Sequence, residues 1–141
     1  MKFCLILLFA ISYISFSNAC SCMGIPGLNS YCEADFGGTF KVVGPSYYCG
    51  ELEICYPIEI VQQFRGAPVS ATVLKTNDNS AACGVYVEEG NTYFVATNPV
   101  DENTLGVYLC GLLQDWTSKT CCEMIAEAKN FNCKNYTPSV L

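Results

Sequence analysis

Hydrophobic and polar positions divide the chain in two. Residues 3–16 form an apolar run broken only by serines and a tyrosine, with Lys2 before it and the small residues Ser17-Asn18-Ala19 behind it. That pattern predicts a secretory leader over residues 1–19, cut after Ala19. The run is shorter than the roughly 20 apolar residues that span a bilayer. No basic stop-transfer flank follows it, and no later segment is patterned to cross a membrane.

After the leader the pattern breaks into short runs. Residues 20–26 show no period and predict an extended arm. Residues 29–35 suit one helical turn with Asn29 as its cap. Residues 36–43 read as a strand, and Gly37-Gly38 within it suggests a bulge or a close backbone approach. Gly44-Pro45 ends that run, and residues 46–53 read as a loop. Tyr56, Ile58 and Ile60 alternate with Pro57, Glu59 and Val61, a strand that Pro57 should confine to an edge or a start. Residues 65–68 form a turn, and residues 69–75 a second β-rich run. The polar loop 76–80 leads to Cys83. Residues 84–87 suggest a short strand, residues 88–91 a hairpin turn, and residues 92–97 a strong strand. Residues 98–103 read as a loop and residues 104–112 as another strand. A helix should begin near Trp116, because Thr120 and Glu123 have capping-box spacing. Cys121, Ile125 and Ala128 would then form its apolar stripe. Residues 131–141 read as a tail. Short strands with a helix at the end predict a small β-barrel or sandwich flanked by helices.

Composition narrows the chemistry. The chain has no histidine, which excludes Ser-His and Cys-His catalysis and any His-ligated zinc site of its own. The protein is therefore not expected to be an enzyme or to carry a cofactor. The net charge of −6 leaves no basic footprint for nucleic acid. Of eleven cysteines, Cys4 falls in the leader, so ten remain. An even, dense set in a secreted chain reads as a disulfide framework. Cys20, Cys22 and Cys32 lie near the new N-terminus, and Cys83, Cys110 and Cys133 are isolated further on. Pairing the first group with the second would hold the arm rigid to its first residue, though spacing leaves the connectivity open.

The ordered motifs carry a resemblance. Cys20-Ser21-Cys22 stands at the cleavage site, and Cys32 follows at a matching interval. Asp35 and Lys41-Val42-Val43-Gly44 come next, then the run from Tyr56 to Gly66. Ser80-Ala81-Ala82-Cys83-Gly84-Val85, Leu109-Cys110 and Trp116 complete the set. Over residues 20–133 the chain resembles the N-terminal, netrin-like domain of the tissue inhibitors of metalloproteinases (TIMPs). Residues 134–141 form a short tail beyond it. The resemblance implies a mainly β, disulfide-rich fold, a five-stranded OB-type barrel with flanking helices. It implies the pairs Cys20–Cys83, Cys22–Cys110 and Cys32–Cys133. Cys49 and Cys55 fall outside that pattern and are close enough in sequence to staple their own loop. Cys121 and Cys122 are left to each other, or to a crossing with that loop.

The resemblance also implies a mechanism. The α-amine and carbonyl oxygen of Cys20 would chelate the catalytic zinc of a target protease, with no cofactor held by the inhibitor itself. Ser21 would enter the specificity pocket, with Cys22 and Met23 continuing along the cleft. Ser80, Ala81 and Ala82 would form a second contact edge. The expected partners are zinc metalloproteases of the matrix or disintegrin type, met by a monomer in the extracellular space, without nucleic acid or membrane. The chain departs from the family at Gly24, Pro26, Gly27 and Leu28, where members carry proline and then His-Pro-Gln. Netrin-like modules that bind partners without inhibiting a protease are the alternative. A thiol enzyme using Cys121-Cys122 is a third reading, although an oxidising compartment favours structural pairing there. Asn135-Tyr136-Thr137 is a glycosylation sequon followed by Pro138.

Overall fold

The computed structural model describes Cys20, Cys22 and residues 27–135. The leader, Ser21, Met23, Gly24, Pro26 and the residues after 135 lie outside the described residues. The chain runs α1 (Leu28–Glu33), β1 (Phe36–Val42), β2 (Tyr47–Tyr48), β3 (Glu53–Arg65), β4 (Val73–Asn77) and a 3-10 turn (Ser80–Ala82). It continues with β5 (Thr92–Thr97), β6 (Pro99–Asp101), β7 (Thr104–Gly106), β8 (Leu112–Asp115), α2 (Cys121–Ala128) and a last 3-10 turn (Cys133–Asn135). The strands join in the order β6-β7-β4-β3-β1-β5-β8, with β2 pairing to β3. All neighbours are antiparallel except β4 and β7. Five strands have four or more residues, and β2, β6 and β7 are shorter. The result is a mainly β, disulfide-rich fold consistent with the OB type.

Alternation builds two cores on the two faces of one sheet. Phe36, Phe40 and Val42 of β1 point into the interior with Tyr56, Ile58, Leu74, Leu105 and Val107. In β5, Tyr93 and Val95 join that cluster, whereas Phe94 and Ala96 face the other way. There they meet Tyr31 of α1, Leu112, Trp116 and Met124 of α2. β5 is thus covered on both sides, which explains its unbroken apolar run. Phe94 and Trp116 stack with ring centroids 4.4 Å apart, and Phe131 packs on Phe94 at 5.1 Å. Arg65, at the end of β3, ties α1 down. Its Nε donates to Ala34 O at 2.9 Å and its Nη2 to Cys32 O at 2.6 Å. Burial pushes the Tyr31 hydroxyl pKa up, and the nearby Arg65 charge partly offsets this.

Several local expectations change in the fold. Pro57 lies inside the longest strand and not at an edge or start. Its carbonyl accepts from Val43 N at 2.9 Å. Within a strand a residue's N and C=O face the same neighbour, so the missing N–H falls just past the end of β1. There β3 changes its main partner, pairing with β4 over residues 53–57 and with β1 from Ile58 onward. The Gly37-Gly38 irregularity is present as a register shift against β3. Helix α1 begins at Leu28, after Gly27, and Asn29 is not its cap. Residues 84–87 form no strand, because Val85 N turns to Thr76 Oγ1 at 3.1 Å. The expected strand 104–112 is split by a turn at residues 108–111, closed by Gly111 N to Tyr108 O at 2.8 Å. Residues 99–101, expected as loop, pair with β7. Trp116 precedes the last helix and lies outside it. The capping box of Thr120 and Glu123 is formed. The helix buries Met124 and Ala128 and leaves Cys121 exposed, so its stripe is rotated from the expected one. Contact with Trp116 and Phe94 selects that face.

Candidate functional site

The candidate site is a knot of two turns and the arm. The first turn begins in the polar loop after β4. Asn79 caps the 3-10 turn by accepting from Ala82 N at 2.8 Å, and Gly84 N donates to Asn79 O at 2.9 Å. The Asn77 side-chain amide donates to Ala82 O. The polar residues of this loop therefore serve its own backbone, as short amide side chains do in turns. Cys83 then adopts a left-handed backbone with φ of 63°, a conformation that costs an ordinary L-residue free energy. Cys83 N donates to Ser80 O at 3.1 Å, and its carbonyl accepts from Leu109 N at 2.8 Å. The next residue must be small, because a Cβ on Gly84 would collide with Asn77 O.

The second turn, residues 108–111, carries Cys110. Disulfides join Cys20 to Cys83 and Cys22 to Cys110. The Cys20 and Cys110 sulfurs lie 3.9 Å apart, so the two bridges are neighbours. Together with the Leu109–Cys83 hydrogen bond, they join Cys20, Cys22 and the two turns into one cross-linked unit. The sulfurs of Cys20, Cys22 and Cys110 lie within 4.8 Å of one another. All three belong to disulfides, so none offers the thiolate that a metal needs.

Cys20 and Cys22 are half-buried, Ser80 and Ala81 are exposed, and Ala82 is half-buried. The fold brings Ser80, Ala81 and Ala82 beside Cys20 through Cys83, while Ser21 and Met23 lie outside the described residues. Tyr86, 79% exposed, and Leu109 were not among the candidates from sequence. They line a cleft of about 480 Å³ with Val85, Leu112 and Gln114. The sequence signal for them was proximity to Cys83 and Cys110. It was hidden because both residues appeared to belong to strands.

The other cysteines divide into two kinds. Cys32 bridges Cys133, joining α1 to the last turn. Cys49 bridges Cys55 across the β2–β3 hairpin, leaving Tyr48 and Leu52 exposed near its tip. Cys121 and Cys122 are free thiols and are exposed. They neither bridge each other nor cross to the hairpin, which corrects the expected structural pairing. Adjacent Cα atoms across a trans peptide are about 3.8 Å apart, short of the roughly 4.4–6.8 Å a disulfide spans. Neighbouring helical side chains also point about 100° apart, and the hairpin cysteines already have each other.

Two comparisons bear on this arrangement. The family described as tissue inhibitor of metalloproteinase matches residues 18–136. Metalloproteinase inhibitor 2 of Rattus norvegicus is 25% identical over 126 residues, covering 82% of this chain and 56% of that protein. The chain therefore spans about half the length of that relative.

Proposed function

Since this chain belongs to the tissue inhibitor of metalloproteinase family, we propose that it is a secreted, extracellular inhibitor of zinc metalloendopeptidases. Removal of residues 1–19 makes Cys20 the first residue and frees its α-amine. A metalloprotease keeps one zinc position open for water. The Cys20 amine and carbonyl oxygen displace that water and chelate the zinc. An α-amine has an ordinary pKa of about 7.7–8.0, so a modest competition by zinc is enough to release its proton. Ser21 enters the pocket beside the metal, Met23 continues along the cleft, and Ser80, Ala81 and Ala82 make the second edge. The targets are proteases of the matrix or disintegrin type.

One observation carries this reading. Cys20 and Cys22 are each bridged to a turn, and the two turns are hydrogen-bonded to each other. An arm held in this way loses little further freedom on binding.

The test compares the secreted protein with a form carrying one extra alanine before Cys20, and with a form whose Cys20 amine is carbamylated. The unblocked protein should inhibit members of a panel of matrix and disintegrin-type proteases, and both blocked forms should lose inhibition. Absence of inhibition, inhibition indifferent to blocking, or secreted protein that retains residues before Cys20 would each overturn the mechanism. Capture of a non-protease partner, unaffected by the added alanine, would favour a netrin-like binding module instead.

A further inference from the structure

Among the described residues, eight cysteines are consumed in four disulfides, and two exposed thiols remain side by side. Cys121 and Cys122 open helix α2 immediately after its Thr120 cap. Helical geometry keeps them from closing on each other, and no other described thiol is left for them to reach. The Cys121 thiol has a single weak polar neighbour, Gln62 Oε1 at 3.8 Å. A chain that forms four disulfides matures where exposed thiols are also oxidised, so their partner must come from another molecule.

We propose that Cys121 and Cys122 are the covalent junction of a homodimer of this chain. The occupant is a second copy for two reasons. A two-fold axis sets the same patch against itself, so two thiols per copy satisfy each other with none left over. The charges of the patch are also balanced within each copy, so it does not repel a second copy. Glu123 and Glu127 lie on α2 between Lys119 and Lys129, with Lys119 paired to Glu127 at 2.6 Å. The local surface therefore carries both signs, although the chain as a whole has a net charge of −6. Ala126 and Lys129 follow Cys122 at helical spacing on the exposed face, and the small Ala126 lets a second helix approach. This departs from the monomer expected in the sequence reading.

The chemistry is thiol–disulfide exchange with a small-molecule disulfide of the glutathione class as oxidant. A cysteine thiolate of one copy attacks that disulfide, forms a mixed disulfide and releases one small thiolate. A thiolate of the second copy attacks the protein sulfur of the mixed disulfide. The interchain bond forms and the second small thiolate leaves. Each bridge transfers two electrons to the oxidant, and the two cysteine protons end on the two released thiols.

The test uses the full chain secreted from a eukaryotic cell, alkylated before denaturation, then run without reductant and weighed intact. The expected result is a species of twice the monomer mass, with both cysteines unalkylated and one hydrogen lost per cysteine. Mild reductant should return it to monomer while the Cys32–Cys133 bridge, buried at its Cys32 end, survives. The C121S/C122S double variant should be monomeric with its four other disulfides intact by peptide mapping. Because both side chains are exposed, that variant should fold, and its unfolding midpoint checks this. Quantitative alkylation of both thiols in the secreted protein, a Cys121–Cys122 bridge in the peptide map, or a stable small-thiol adduct on a monomer would each overturn the proposal. None of these outcomes bears on protease inhibition, which is read separately.

Discussion

At the scale of single residues, two positions show how local chemistry shapes the molecule. Gly84 follows the left-handed Cys83 and passes so close to the Asn77 carbonyl that a methyl group has no room. Gly84→Ala should lower stability by about 1–3 kcal/mol, the usual range for forced overpacking. It should also weaken inhibition, because the Ser80–Ala82 edge must shift. Urea unfolding and an inhibition assay on the same preparation check both. Glu123 accepts from Thr120 N at 2.7 Å and Thr120 Oγ1 at 2.8 Å, which holds its carboxyl below the ordinary carboxylate pKa. The folded pKa lies below the unfolded one, so the cap's contribution is complete above the unfolded value. It is lost as pH falls through the folded value. Glu123→Gln should therefore flatten the acid side of the stability profile, seen as a smaller drop in urea midpoint between neutral pH and the acid carboxylate range. Thr120→Ala, which removes the cap itself, should cost about 1 kcal/mol at neutral pH.

At the scale of elements, β5 is the strand on which both cores depend. Tyr93 and Val95 serve the interior, and Phe94 and Ala96 serve the layer beneath the helices. Phe94 is fully buried and stacks on Trp116 and Phe131. Phe94→Ala should cost about 3–5 kcal/mol and loosen α2 from the sheet, detectable as earlier amide exchange in that helix than in β1. The strand was legible in the sequence because every residue from Tyr93 to Ala96 suits a buried strand. β3 was less legible. Proline is ordinarily excluded from strand interiors because it lacks a donor, and Pro57 is tolerated because its nitrogen falls just past the end of β1, where its ring lies beside Gly44 and no ladder bond is needed. Nothing in the local sequence announces where a neighbouring strand stops.

At the scale of the whole molecule, the long-range disulfides have distinct tasks. Cys22–Cys110 and Cys32–Cys133 span 88 and 101 residues. Loop-closure entropy depends only logarithmically on loop length, so removing either should cost a similar 2–5 kcal/mol or so. Their effects on function should differ. Replacing both Cys22 and Cys110 by alanine should abolish most inhibition in protein that remains folded, since one of the two arm anchors is lost. Replacing Cys32 and Cys133 should lower the unfolding midpoint and spare inhibition below it. Equal losses of inhibition in the two variants would sever the link between the anchored arm and function.

The sequence by itself determined the strand-like runs that became β1 and β5, the capping box of α2, and the ordered motifs that mark the family. Each is written in neighbouring residues or in their order, and needs no knowledge of what lies across the sheet. Spacing by itself leaves the connectivity of the cysteines open, and only the fold brings particular Cβ atoms within reach; the pairs it forms are the three that the family resemblance implies, with Cys49–Cys55 stapling its own hairpin. Tertiary structure also decided that residues 84–87 leave the sheet, because the backbone there is claimed by Thr76 and Asn79 from another part of the chain. The fate of Cys121 and Cys122 was settled in the same way. Their adjacency invited a bridge, and the helix that Thr120 and Glu123 begin holds the two side chains apart.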